Sequence, residues 1–470
     1  MANVILLFHR DLRLRDHAAL KNASDTGHSI IPLYIHDNTI PEGNREGGAS
    51  LWWLNHSLSD LDMALRQRGS RLILRKGSRL TELERIVAET HAEAVFISRR
   101  YAPWEERQDQ EIAQRLSVPY RRFRGYLLFE PEDVKTKSGT PFRVFTPFFK
   151  ACLALGSPFP ADNTVPEIAA PSTWPVSEEL RDWCLLPSKP DWSGGISSSW
   201  NPGEAGALER LDAFRSVVDR YHEDRDRPDR EGTSRLSPHL HFGEISPRAC
   251  WLEFSSESGL GGRNAFLREL IWREFSYHLL AQFPDMAQIP LQKKFLKFPW
   301  RVDHQNLTAW QRGRTGYPII DAGMRQLWKT GWMHNRVRMI VASFLIKHLL
   351  IGWQNGQNWF WDTLVDADPA NNAASWQWVA GCGADAAPFF RIFNPMTQGA
   401  KFDPNGNYVR EWVPEISQLP AKFIHEPWLA PPQILARTNI RLGDSYPWPI
   451  VDHKLARQRA LDTLNRIKGE

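Results

Sequence analysis

At 470 residues the chain exceeds one typical domain, and two are expected. Its 42% hydrophobic and 24% charged composition is that of a globular protein, and no run approaches a membrane span or a signal-peptide core, so a cytoplasmic protein is expected. Cys152, Cys184, Cys250 and Cys382 lie far apart with no CxxC spacing, which excludes a disulfide or zinc framework and leaves free thiols in a reducing compartment. The net charge of +4 comes entirely from residues 201–470, which carry 33 basic and 29 acidic side chains. Within residues 301–350 there are eight Lys/Arg against two Asp/Glu. Such a concentration attracts a polyanion or forms a solvated helix face, and charge alone does not choose.

In chain order, "VILLF" (4–8), "SIIPLYI" (29–35), "RLILR" (71–75), "AVFIS" (94–98) and "PYRRF" (119–123) read as short strands. Helix-length segments such as "SLWWLNHSLSDLDMALRQRG" and "RLTELERIVAETH" lie between them, which predicts a Rossmann-like parallel sheet wound by helices over residues 1–131. "HRDLRLRD" follows the first strand without a glycine, so a dinucleotide held in the Rossmann manner is disfavoured. Residues 132–200 turn to Pro, Ser, Thr and Gly and read as a long connection. From 201 to 470 nearly every segment reads helical, with starts marked by Ser237–Pro238, Ser246–Pro247 and Asp368–Pro369. An α/β domain, a linker and a larger all-helical domain are therefore expected.

Several stretches of the helical part carry chemistry. "EGTSRLSPHLHFG" places Thr233, Ser234, Arg235, Leu236 and Ser237 before a helix start, where hydroxyls and free N–H groups suit phosphate, although a capped turn would look the same. Glu269 and Trp272 in "ELIWREF" stand one turn apart, as do Asn335 and Met339 in "GWMHNRVRM". "DADPANN" offers Asp366 to a buried arginine. In "NNAASWQWVAG", Trp376 and Trp378 sit two residues apart; on a helix they point roughly 200° apart and cannot share a face.

These stretches, in this order, together with "FHRDLRLRDHAAL" (8–20) and "FFRIFNPMTQGAKFD" (389–403), resemble the DNA photolyase/cryptochrome family over essentially the whole chain. The resemblance implies FAD in the helical domain, with Tyr221 and Thr233–Ser237 on its adenine and pyrophosphate side and Arg273 as a further phosphate contact. Arg338 and Asp366 match an ion pair beside the isoalloxazine, Asp368 lies in the same loop, and Asn372 faces flavin N5, where an amide donor favours the fully reduced anionic form. Trp376, Trp353 and Trp300 match an electron-transfer chain from flavin to surface. Trp378, Glu269, Trp272, Asn335 and Met339 match the lining of a cyclobutane pyrimidine dimer pocket. Arg336, Arg391 and Lys401 are expected to touch the phosphates of UV-damaged DNA. An antenna chromophore is expected near the loop after the second strand. Leu51 stands where relatives commonly carry arginine, which favours methenyltetrahydrofolate over a deazaflavin.

The implied activity is light-driven repair of cyclobutane dimers by a monomer that needs no metal. The main alternative is a cryptochrome-type blue-light photoreceptor, weighed against by the complete lesion-pocket set and by a chain ending at Glu470 without a signalling tail. A (6-4) photolyase would carry two histidines at Asn335 and Met339, and a flavin oxidoreductase working in the dark would need the missing dinucleotide motif.

Overall fold

The computed structural model describes residues 2–156, 158, 161–255, 261–385 and 390–467. Five parallel strands, β1 (Asn3–Phe8), β2 (Ser29–His36), β3 (Ile73–Lys76), β4 (Ala92–Ser98) and β5 (Tyr120–Phe123), form one sheet in the order β3-β2-β1-β4-β5. The central strands are covered on both faces, which is why they read as unbroken apolar runs. β1 meets β2 in register from Asn3 opposite Ser29 to Phe8 opposite Tyr34. β3 begins two residues later than "RLILR" suggests, because its pairing with β2 starts at Ile73. Helices α1 (Ala18–Ser24), α2 (Gly48–Arg66), α3 (Arg79–Thr90) and α4 (Pro103–Arg115) connect the strands.

The connection at 132–200 is not featureless. It holds α5 (Phe145–Ala154), whose aromatic run packs on a later helix, and α6 (Gly194–Ser197). There follow α7 (Glu204–Arg215), α8 (Tyr221–Asp224), α9 (Ser237–His241), α10 (Pro247–Ser255) and α11 (Gly261–Gln282). Next come α12 (His304–Gln311), α13 (Pro318–Thr330), α14 (Asn335–Ser343), α15 (Trp353–Thr363), α16 (Pro369–Ala380) and α17 (Pro395–Phe402). The last are α18 (Asn407–Trp412), α19 (Pro432–Arg437) and α20 (His453–Arg466).

Two compact units result: Met1–Asp219 with Ser234–Pro284, and Arg220–Thr233 with Asp285–Glu470. Composition places the change of domain at 131 and 200, whereas packing carries α7 and α9–α11 into the first unit. Trp53 on α2 shows why: its ring stacks on Phe242 at 6.0 Å and its indole N–H donates to Glu244 at 2.8 Å. The second unit is built on a core that includes the fully buried Trp310, Trp353, Tyr408 and Tyr446. In it α14 runs on into a π-helical turn, Phe344–His348.

Candidate active site

In the first unit α11 carries the acid and the indole. Glu269 and Trp272 are both half-buried, one turn apart. One face of Trp272 is covered by Phe145 of α5, with ring centroids 3.5 Å apart and planes within 5°. Arg273, the expected further phosphate contact, is engaged within the protein. Its guanidinium donates to Glu274 at 2.8 Å and lies over the rings of Tyr126 and Tyr277, at 4.5 and 5.4 Å. Glu274 also accepts the N–H groups of Leu128 and Phe129, and burial pushes its carboxyl up to about 7 against the pull of Arg273. This arginine ties α11 to the chain at 126–129.

Along Ser234–Ser237, Arg235 takes a positive φ of 51° and α9 begins at Ser237 itself, with Leu236 at the cap position. Ser237 is therefore the first helical residue and not the capping one. Ser234 and Arg235 are half-buried, Leu236 is buried and Ser237 is exposed.

The second unit holds the remaining positions. Tyr221 is buried at the start of α8, with Arg225 over its ring, and Thr233 is half-buried. On α14, Asn335 is exposed and Met339 half-buried. Arg338 forms a two-pronged pair with Asp366, Nη1–Oδ1 3.1 Å and Nη2–Oδ2 2.8 Å, and its Nε donates to Met333 O at 2.7 Å. Asp368 is the N-cap of α16, accepting from Ala370 N and Asn371 N at 3.1 and 2.8 Å. Asn372 donates its amide nitrogen to Gln357 O at 3.1 Å. That bond engages one of the two amide N–H groups of Asn372.

Trp376 and Trp378 do diverge. Trp376 is 2% exposed and meets Phe360 and Trp310 edge-on at 5.0 and 6.3 Å. Trp378 is half-buried and donates its indole N–H to Asp385 O at 3.1 Å. The first turn of α15 links the three expected chain members. A Cβ at Gly352 would lie 3.6 Å from Trp300, Trp353 is buried in the next position, and a Cβ at Gly356 would lie 2.1 Å from the Trp376 ring. Trp300 is half-buried and so reaches solvent.

Of the three expected phosphate contacts, Arg336 is already paired: its Nη2 lies 2.7 Å from Asp226 and its guanidinium sits over Phe402. Arg391 and Lys401 are exposed, and neither makes an ion pair among the described residues. Phe389, at the head of the Arg391 stretch, lies outside the described residues. Buried Lys347 donates to Arg391 O at 2.5 Å and thereby fixes the backbone beneath that arginine. Sequence reasoning missed Lys347, Phe145 and Trp310. A lysine inside an otherwise apolar helix, "SFLIKHLL", is the one signal that could have been followed. Among the described residues no group of three His, Cys, Asp or Glu could hold a metal. No helix described is long and apolar enough to cross a membrane.

Comparison with known proteins extends over the whole chain. The family described as DNA photolyase matches residues 4–168, and that described as the FAD binding domain of DNA photolyase matches residues 266–466. The deoxyribodipyrimidine photo-lyase of Agrobacterium fabrum is 49% identical, covering 99% of this chain and 98% of that one. Cryptochrome-1 of Arabidopsis thaliana is 36% identical over 98% of this chain and 70% of its own. Among solved structures, a bacterial class III photolyase from Agrobacterium tumefaciens superposes with a TM-score of 0.97 at 49% identity, covering 100% of this chain and 98% of that one. The parallel-sheet unit, the helical FAD-binding part and full-length similarity together establish that the chain belongs to the DNA photolyase/cryptochrome family.

Proposed function

We propose that this protein is a deoxyribodipyrimidine photo-lyase that repairs cyclobutane pyrimidine dimers in UV-damaged DNA under blue or near-UV light. The observation that carries the reading is the half-buried Trp272 ring, one face covered, one turn from Glu269 on α11. Photolyases are among the enzymes that extrude their target from the duplex, so that step is adopted from the family. Lesion contacts are assigned to Glu269 and Trp272 and, in the second unit, to Asn335, Met339 and Trp378. The two indoles stack on the dimer. Glu269 faces a dimer carbonyl and steadies the radical anion by hydrogen bonding, without being consumed. An amide and a thioether at Asn335 and Met339 cannot protonate a leaving hydroxyl, which argues against (6-4) repair.

The donor set suits a flavin: hydroxyls and backbone N–H groups at 233–237 for phosphate, the Arg338–Asp366 pair and the Asn372 amide for the ring. Bound FAD supplies the light-driven electron. Tyr221, Thr233, Ser234, Arg235, Leu236 and Ser237 hold its adenine and phosphate end, and Arg338, Asp366, Asp368 and Asn372 its ring end. Arg273, with Glu274 and two tyrosines around it, acts by holding α11 in place. Trp376, Trp353 and Trp300 relay electrons inward from a reductant in solution. Arg391 and Lys401 bind DNA phosphates, and Arg336 does so in competition with Asp226.

For the antenna we favour methenyltetrahydrofolate. Leu51 brings no charge to the position where relatives commonly carry an arginine, which weakens the case for an anionic deazaflavin. A cytoplasmic monomer completes the reading. The test is an oligonucleotide with one defined lesion, incubated with reduced enzyme in light and darkness. Light-dependent loss of the cyclobutane dimer with the (6-4) product untouched is expected. An unchanged dimer, with reduced flavin verified, would leave the photoreceptor reading instead.

A further inference from the structure

The Trp272 ring meets Phe145 in a geometry that an isolated aromatic pair does not prefer. Such pairs favour offset or edge-to-face arrangements over a direct sandwich, yet here the planes lie within 5° and the centroids 3.5 Å apart. Other side chains flank the pair. Phe275 stands edge-on to both rings, 5.8 Å from each. The Arg268 guanidinium, one turn before Trp272 on α11, lies over Phe145 and Phe149 at 5.3 and 5.5 Å. Phe145 is 1% exposed, so it touches no ligand itself. Trp272, half-buried with one face covered, can offer a flat ligand only the other face.

We infer that Phe145 is a positioning residue for lesion recognition, backing the Trp272 indole so that its free face is set before the dimer arrives. This rests on the reading of Trp272 as a lesion contact. A free indole on a helix samples several rotamers, and fixing one beforehand removes that ordering from the binding step. The consequence is selective. Loss of the backing weakens binding of the dimer, which uses the indole, and spares undamaged duplex, which is held through phosphates.

The experiment measures dissociation constants of the FAD-loaded enzyme in darkness for a duplex with one thymine dimer and for the same duplex undamaged. Wild type is compared with Phe145→Leu, Phe145→Tyr, Trp272→Ala and the Phe145→Leu/Trp272→Ala double variant, with flavin content read by absorbance. Stacking on an aromatic accounts for roughly a tenfold or larger share of affinity per base, so a loss of about five- to tenfold for the dimer duplex alone is expected in Phe145→Leu. Phe145→Tyr should restore wild-type preference, and the double variant should bind no more weakly than Trp272→Ala. Wild-type dimer affinity in Phe145→Leu, beside a loss in Trp272→Ala, would overturn the inference. So would a loss that adds fully to that of Trp272→Ala, because Phe145 would then act through the fold and not through the indole. An unaffected Trp272→Ala would instead overturn the lesion-contact reading on which the inference rests.

Discussion

Two indoles two residues apart on α16 meet different surroundings, and each can be tested by itself. Trp376 is buried against Phe360 and Trp310, so Trp376→Phe keeps the packing and removes the group that is easier to oxidise. Light-driven reduction of oxidised FAD should slow at least tenfold, while enzyme reduced chemically beforehand should repair at the wild-type rate. Transient absorption after a laser flash separates the two, and unchanged photoreduction would remove Trp376 from the chain. Lys347 gives a second prediction. Burial lowers its ammonium from 10.5 to about 7, with Cys382 opposing the fall and Arg391 adding to it. The unfolded chain therefore binds the extra proton between pH 7 and about 10, and folding stability contributed by this site rises with pH across that window. The full gain is up to about 5 kcal/mol, at about 1.4 kcal/mol for each pH unit of that window. Denaturant midpoints of wild type and Lys347→Met should converge or cross as pH rises from 7 to 9.5. A constant offset would mean that Lys347 titrates as an exposed lysine does.

At the scale of elements, α15 sets how closely its neighbours approach. Gly356→Ala would place a Cβ 2.1 Å from the Trp376 ring and 2.7 Å from Leu345. In an open helix the change gains about 0.5–1 kcal/mol, whereas overpacking costs about 1–3 kcal/mol. A net loss of stability is expected, with slower photoreduction as Trp376 is pushed from its place. Greater thermal stability in Gly356→Ala would show that the ring yields freely. The central strands β1, β2 and β4 were legible because parallel strands buried on both faces are apolar almost throughout, whereas edge strand β5 exposes Arg121 and Arg122. α5 was hidden by its setting: a ten-residue helix inside a Pro- and Gly-rich stretch offers only three periodic positions, Phe145, Phe148 and Cys152, and its aromatic run makes sense only against α11. The Asp368 cap was legible because capping is local; the placement of α9–α11 with the sheet was not, because Trp53 and Glu244 meet from 191 residues apart.

For the molecule as a whole, sequence counts convey the right sign of charge but not which cations are available. Arg336 lies in the basic stretch, yet Asp226, 110 residues away, neutralises it, a pairing that no local pattern signals. Arg391 and Lys401 are exposed and lack an acidic partner among the described residues. The three arginine and acid positions should therefore respond differently in DNA binding. Arg391→Ala should weaken damaged and undamaged duplex by the same factor and lower the salt slope by about one, as loss of one phosphate contact does. Asp226→Asn should tighten both duplexes and steepen the salt dependence, because it releases Arg336 to the phosphates. Arg336→Ala should matter little for undamaged DNA in the wild-type background and clearly more in Asp226→Asn. Titrations over a range of salt concentrations measure all of these. If Asp226→Asn left affinity and slope unchanged, Arg336 would be a strut between α14 and the 220–233 segment, and the phosphate grip of this unit would rest on Arg391 and Lys401.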